Sequence, residues 1–259
     1  MTGPPPAASD RFRFSTIAHA GRALLGPLSE ASIEELFDRV TLTPAAGARP
    51  SVLDVGCGKG EVLVRALTRF DAAGVGIDPN AAYLEQAQAR ADSAGVALRL
   101  ELRCGTFDAA SIAPASFDLA ICTGATHAFG DFDAALAGLA ALVKPGGFAL
   151  AGHGYWQREP APDYLAAFGG SADEMAALEP TLGAAAAHGW TLIAHHASTR
   201  AEWDNYERGY ASTMRNWIAS HPNDPDTPAF RERIESWKSA YERWGFRTMG
   251  FVTMVLKRS

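Results

Sequence analysis

Nine residues constrain this chain more than any others: Val52-Leu53-Asp54-Val55-Gly56-Cys57-Gly58-Lys59-Gly60. An apolar run passes into glycines at every second position, and the pattern from Glu61 to Phe70 predicts a helix. A strand, a bare-backbone turn and a helix in that order open a βαβ unit, and the glycines permit a sharp bend and close approach of a ligand to the main chain. The rhythm then repeats. Strands are predicted at Ser51–Val55, Gly74–Asp78, Val96–Arg103, Phe117–Thr123 and Phe148–His153. Helices are predicted at Asn80–Ala94 and Asp131–Val143, and Lys144–Gly147 reads as a tight turn. Short apolar strands alternating with helices predict an α/β fold around a parallel sheet.

The flanks are different. Residues 1–10 are rich in Pro and Ala and read as disordered. Helices follow near Thr16–Leu25 and over Ser29–Val40, the second with Ser29 as N-cap and Ile33, Leu36, Phe37 and Val40 on one face. After residue 154 come an aromatic loop, Tyr155–Pro162, helical segments at Asp163–Phe168, Ala172–Leu178 and Thr181–His188, and a sixth strand, Trp190–Ser198. Two long polar-aromatic helices, Arg200–Ser220 and Thr227–Trp244, precede a final strand, Phe246–Leu256. The expected organisation is one domain over 11–259, with a ligand-binding core at about 45–155 and a helical insertion at about 199–245.

The glycine spacing is G-x-G-x-G rather than the G-x-G-x-x-G of dinucleotide sites. Asp54 stands two residues before the first glycine, where it would repel a pyrophosphate and attract a cation. Asp78 ends the second strand 24 positions later, where a carboxylate can accept hydrogen bonds from both ribose hydroxyls. A ribose and a cationic tail without phosphate describe S-adenosyl-L-methionine (SAM), whose demethylated product is S-adenosyl-L-homocysteine (SAH).

Here the chain resembles the class I SAM-dependent methyltransferases. Asp54 to Gly60 matches their first motif, Asp78 their ribose-binding acid, Phe117-Asp118-Leu119-Ala120-Ile121-Cys122 their fourth strand, and Leu142-Val143-Lys144-Pro145-Gly146-Gly147 the turn before the fifth. The resemblance implies a Rossmann-like, seven-stranded, mostly parallel sheet with an antiparallel last strand, which Phe246–Leu256 can supply. The helical N-terminus and the inserted helices would form a lid. The family often places an acid after the third strand, near the adenine amine. This chain has Cys104-Gly105-Thr106-Phe107, with Thr106 in the acid's place. The expected cofactor residues are Asp54, Gly56, Cys57, Gly58, Gly60, Asp78, Pro79, Gly105, Thr106, Phe107 and Thr123. Gly124-Ala125-Thr126, Gly152-His153-Gly154-Tyr155-Trp156, Trp203–Glu207 and Arg215-Asn216-Trp217 also look like a group of uncharacterised bacterial class I methyltransferases, a likeness that implies nothing about the acceptor.

Ligands of doubly wound sheets sit beyond the carboxyl ends of the strands, so the residues after strands four and five face the reacting group. His127 and His153 are the candidate catalytic bases there, since histidine titrates near neutrality; each could instead orient a loop. Positioning for in-line displacement could also suffice. Tyr155, Trp156, Trp203 and Tyr206 are the candidate substrate contacts. Trp203, Tyr206, Tyr210, Met214 and Trp217 share a helical face that also suits plain core packing. His195 and His196 are strand neighbours pointing to opposite faces, which does not suit one metal, and no metal is expected. Cys57, Cys104 and Cys122 read as packing residues.

A net charge of −6 and the absence of an extra basic region disfavour nucleic acid as a partner. No Asn/Asp-Pro-Pro-aromatic tetrapeptide follows the fourth strand, unlike amino-methylating nucleic-acid enzymes. No apolar run is long enough to span a bilayer. Three cysteines and no visible signal peptide point to the cytoplasm. The aromatic accessory segments favour a small-molecule acceptor. Two alternatives stay open: a SAM-binding protein of the same fold that cyclises its substrate or serves as a binding module, and a nucleotide-dependent oxidoreductase, which the glycine spacing and Asp54 disfavour.

Overall fold

The computed structural model describes residues 12–107 and 112–259; the stretch expected to be disordered, 1–10, lies outside the described residues. The chain forms α1 (Arg13–Ala18), α2 (Glu30–Phe37), β1 (Ser51–Val55), α3 (Glu61–Arg69), β2 (Ala73–Asp78), α4 (Ala81–Ser93), β3 (Leu100–Cys104), β4 (Phe117–Thr123), α5 (Phe132–Leu142), β5 (Val143–Trp156), α6 (Pro162–Phe168), α7 (Leu178–Ala184), β6 (Trp190–Ala197), α8 (Arg200–Ser220), α9 (Thr227–Ala240) and β7 (Met249–Arg258). The strands make one seven-stranded sheet in the order β3-β2-β1-β4-β5-β7-β6. Every pair among β1 to β5 is parallel, and β7 runs antiparallel to both β5 and β6. The chain winds outward in both directions from β1 and β4, which makes a switch point between their carboxyl ends.

Both faces of the sheet are covered, which explains why β1 and β4 read as continuous apolar runs. On one side Leu63, Leu67, Leu84 and Phe37 close over Leu119 and Ile121; on the other, Leu136, Leu139, Leu182 and Trp190 close over Ala120, Cys122 and Met254. A separate cluster joins the N-terminus to the insertion, with Phe14 and Ala18 of α1 against Met214 and Ile218 of α8 and Ile234 of α9. This cluster holds α8 over the switch point. Glu202 holds its other end, accepting hydrogen bonds from Ser29 Oγ (2.8 Å), the Thr199 amide (2.8 Å) and His196 Nε2 (2.8 Å). Burial alone would raise this carboxyl's pKa, but these donors hold it down to about 2.

Five sequence expectations are corrected. The first helix is shorter than Thr16–Leu25: it stops at Ala18, and Gly21 at φ +71° lets the chain leave it. Val96–Arg103 is a strand only from Leu100, since 97–99 form a single 3₁₀ turn. Lys144–Gly147 is a bulge inside one long strand, because Val143 pairs with Phe117 and Phe148 with Leu119. The same strand absorbs Tyr155 and Trp156, expected in a loop: the antiparallel β7 carries the ladder on to Gly250 and Met249 opposite them. The last strand itself starts at Met249, after a π turn at Tyr241–Gly245.

Asp118 secures the start of this arrangement. Its Oδ2 accepts from the Ser51 amide (2.8 Å), Ser51 Oγ (2.8 Å) and Lys144 Nζ (2.9 Å), tying β1, β4 and the β5 bulge together. Burial works against this carboxylate, and the Lys144 and Ser51 contacts overcome it, so its pKa falls below the ordinary range. Asp118→Ala is expected to lower the free energy of unfolding by about 1–3 kcal/mol in urea titrations near neutral pH, the cost of leaving its partly buried partners unpaired. A change within about 0.5 kcal/mol, the usual range for a neutral surface substitution, would show that the tie is dispensable.

Candidate active site

A cavity of about 680 Å³ opens at the carboxyl ends of β1, β2 and β4. Its floor is the glycine turn. The Gly56 and Cys57 amides donate to the Ile77 carbonyl (2.8 and 3.1 Å), which folds the turn against β2. Gly56 stands at φ +73°, and a Cβ placed there would lie 2.2 Å from the Ala125 Cβ, so neither the backbone nor the space admits a side chain. A ligand can therefore approach the main chain of the turn closely at this position.

Two carboxylates close this end. Asp54 and Asp78 are both buried, and among the described residues neither is ion-paired to a lysine or arginine. Burial, and then the charge of Asp78, raise the Asp54 pKa well above its ordinary range. Asp78 is also raised by burial, against the pull of the Asn80 and Gly58 amides and of nearby His127. The Asp78 oxygens accept one bond each, from the Gly58 amide (2.9 Å) and the Asn80 amide (2.8 Å). A carboxylate has about four lone-pair sites, so both oxygens retain acceptor capacity for further donors.

The roof comes from the N-terminus and the insertion. Lys59 is buried, and its Nζ donates to the carbonyls of His19 (2.6 Å) and Arg22 (3.1 Å). It thus ties the segment after α1 across the glycine turn. His19 adds a chain of contacts, with Nδ1 3.2 Å from Tyr83 Oη and Nε2 3.2 Å from Tyr206 Oη. Burial, then the Lys59 charge, lowers its pKa to about 4. From α8 and α9, Trp203, Tyr206, Glu207 and Trp237 line the cavity, as do Leu25 and Pro27 of the N-terminal segment and Met249 and Phe251 of β7.

The structure gathers Asp54, Gly56, Cys57, Gly58, Asp78, Pro79, Gly105, Thr106, Phe107, Thr123, His127, Trp203 and Tyr206 around this cavity. Gly60 lies behind it, capping α3 at φ +74° where a Cβ would meet Ala87 at 2.8 Å. His153, Tyr155 and Trp156 are not among its lining residues. His153 stacks on Phe132 at 4.2 Å and contacts Thr126 Oγ1 (3.1 Å), and burial lowers its pKa to about 4. Tyr155 is buried among Leu182, Trp190 and Met254, and Trp156 Nε1 donates to the Ala172 carbonyl (2.7 Å). The aromatic stripe of α8 divides: Trp203 and Tyr206 face the cavity, while Met214 and its neighbours serve the α1–α8–α9 cluster.

Sequence reasoning missed His19, Lys59, Tyr83 and Glu207. Glu207 is one turn beyond Trp203, so the helical period could have placed it on the same face. It is buried, and Trp237 Nε1 donates to its Oε2 (2.8 Å).

Fold and motifs define the class: the chain belongs to the class I SAM-dependent methyltransferase superfamily. Residues 52–147 match the family model described as "Methyltransferase domain". The chain is similar to the uncharacterized protein YjhP of Escherichia coli K12, at 30% identity over 94% of this chain and 97% of YjhP. The X-ray structure of YjhP superposes with a TM-score of 0.84 at 27% identity, covering 95% of this chain and all of that one. A SAM-dependent methyltransferase from Geobacter sulfurreducens, solved with SAH, gives a TM-score of 0.86 at 26% identity over 95% of this chain and 98% of its own.

The residues present fit SAM. Asp78 keeps acceptor capacity for a ribose, Asp54 is a buried carboxylate that lacks a lysine or arginine partner among the described residues, and the glycine turn lies between them. The volume lies within the ordinary range for small-molecule sites.

Glu207 provides a test by pH. Burial raises its pKa from 4.5 to about 7, against the pull of the Trp237 hydrogen bond and the Arg22 charge. Tyr164, Tyr210, Tyr206 and Tyr241 also face it. Between those two pH values the folded chain holds a proton that the unfolded chain has released, so this residue's contribution to stability falls as pH rises, by about 3 kcal/mol across the window. Urea unfolding of Glu207→Gln should therefore show stability relative to the parent rising between about pH 5 and pH 8. A difference independent of pH would contradict the assignment.

Proposed function

We propose that the chain transfers the methyl group of SAM to a small-molecule acceptor by in-line displacement. The observation that carries this reading is the pair of buried carboxylates, Asp54 and Asp78, on either side of the glycine turn at the switch point. SAM, when bound, supplies a methyl group activated by a sulfonium. The chain's own residues bind, orient and exclude water. Asp78 accepts the ribose hydroxyls with the capacity that Gly58 and Asn80 leave free, and Asp54 offsets the cationic charge. Gly105, Thr106 and Phe107 flank the adenine. Lys59 fixes the N-terminal segment as part of the cover, which limits water at the site.

The position of His127 beside Asp78 supports a role at the ribose end. A pKa near 4 and a place outside the cavity disfavour His153 as a base. The small-molecule reading is supported by the aromatic side chains of α8 and α9, Trp203, Tyr206 and Trp237, which line the cavity together with the glycine turn. No helix among the described residues is long and apolar enough to cross a membrane.

Incubation of the purified chain with SAM and a metabolite panel, followed by mass spectrometry, should yield SAH together with one methylated product. SAM that binds but is never consumed would favour a binding module. Separately, Asp78→Ala should weaken SAH binding by about 1–3 kcal/mol in calorimetry, roughly 5- to 150-fold, as its ribose partners lose a charged acceptor. Unchanged affinity would remove Asp78 from the site.

A further inference from the structure

The structure assigns the α8–α9 wall of the cavity as the acceptor subsite of the transfer proposed above, shaped for a small organic amine that carries an oxygen acceptor a few bonds from its nitrogen. The assignment rests on that reading of the function and deepens it. Two atoms carry it. Glu207 Oε1 and Trp203 Nε1 have no hydrogen-bond partner among the described residues. Yet Glu207 is only 5% exposed and Trp203 only 7%, and both line the cavity. Buried polar atoms are rarely left alone in folded proteins, since each costs a full desolvation penalty. Here the two stand four residues apart on one helix, so they share a face one turn apart.

Their chemistry is complementary and specific. The indole nitrogen only donates, and the free carboxylate oxygen accepts. A matching ligand presents an acceptor to the indole and a donor to the carboxylate. The orientation of Glu207 is fixed because Trp237 Nε1 holds its other oxygen. Charge decides which donor suits it. Arg22 is the nearby cation, but its guanidinium is taken by the carbonyls of Tyr206 and Asn205 and lies over the Tyr206 ring at 5.3 Å. Among the described residues no ion pair to Glu207 forms, so the carboxylate remains available to a cation. Trp237 and Phe251 add aromatic rings to the lining that suit an ammonium and an apolar body. An anionic acceptor would meet the carboxylate head-on.

The same residue can prepare the amine. Burial makes Glu207 a stronger base than a free carboxylate, so Oε1 is placed to hold the proton in the minor fraction of complexes whose amine is neutral and reactive. The N–H bond breaks, an O–H bond forms at Oε1, and the electron pair stays on nitrogen, which becomes a neutral nucleophile.

The test uses three near-isosteric probes on the SAH-loaded protein, followed by calorimetry: 2-phenoxyethylamine, 2-phenoxyethanol and phenoxyacetate, with 3-phenylpropylamine lacking the ether oxygen. The amine should bind at least about tenfold tighter than the alcohol, and the acetate weakest, because a buried carboxylate contributes a charged hydrogen bond only to the amine. Glu207→Gln, nearly isosteric and able to keep the Trp237 contact, should remove that preference while SAH affinity stays within about twofold. Trp203→Phe should narrow the gap between 2-phenoxyethylamine and 3-phenylpropylamine. Equal or tighter binding of the alcohol or acetate, an amine preference that survives Glu207→Gln, or no binding of any probe to the SAH-loaded protein would overturn the assignment. Failure of SAH itself to bind would instead overturn the reading beneath it, and this one with it.

Discussion

Burying two carboxylates at the ends of adjacent strands is unfavourable, and the rest of the site depends on how the fold tolerates it. Each would ionise freely in water; here burial raises both, and the charge of Asp78 acts on Asp54 as well. The parallel sheet fixes them. β1 pairs with β2 in a register that sets Asp54 opposite Gly76 and Val55 opposite Ile77, so Asp78 follows directly beyond the paired ends. Packing on both faces of β1 leaves no way to turn Asp54 outward. The cost is offset in part by the Gly58 and Asn80 amides, and a cationic ligand would offset more.

The cover belongs to the same electrostatic scheme. Lys59 comes from the turn beside both acids, yet its ammonium points to the carbonyls of His19 and Arg22 instead of to a carboxylate. The one cation of the motif is thereby used to attach the lid, and among the described residues the two acids keep no lysine or arginine partner. The lid is then locked from the far side by Phe14 against α8 and by Glu202 against α2. Chain segments that are distant in sequence meet over a floor that is local in sequence.

That division explains what could be read in advance. The glycine turn, Asp54 and Asp78 were legible because a strand, a turn and a helix are set by a few consecutive residues. The helix over Arg200–Ser220 was legible from its period. The long reach of β5 was not: Tyr155 and Trp156 sit before prolines and look like loop, and only β7, more than ninety residues later, supplies their ladder. Lys59 stood in plain view within the motif, but its partners lie some forty positions upstream. Glu207 looked like one more charge on a polar helix until α9 placed Trp237 against it.

The most direct measurement is calorimetric titration of the purified chain with SAM and, separately, with nicotinamide adenine dinucleotide. If two buried acids around a bare turn define the ligand, the sulfonium nucleoside binds saturably and the pyrophosphate-bearing one does not. Equal binding of the two, or binding of the dinucleotide alone, would contradict the assignment of this site.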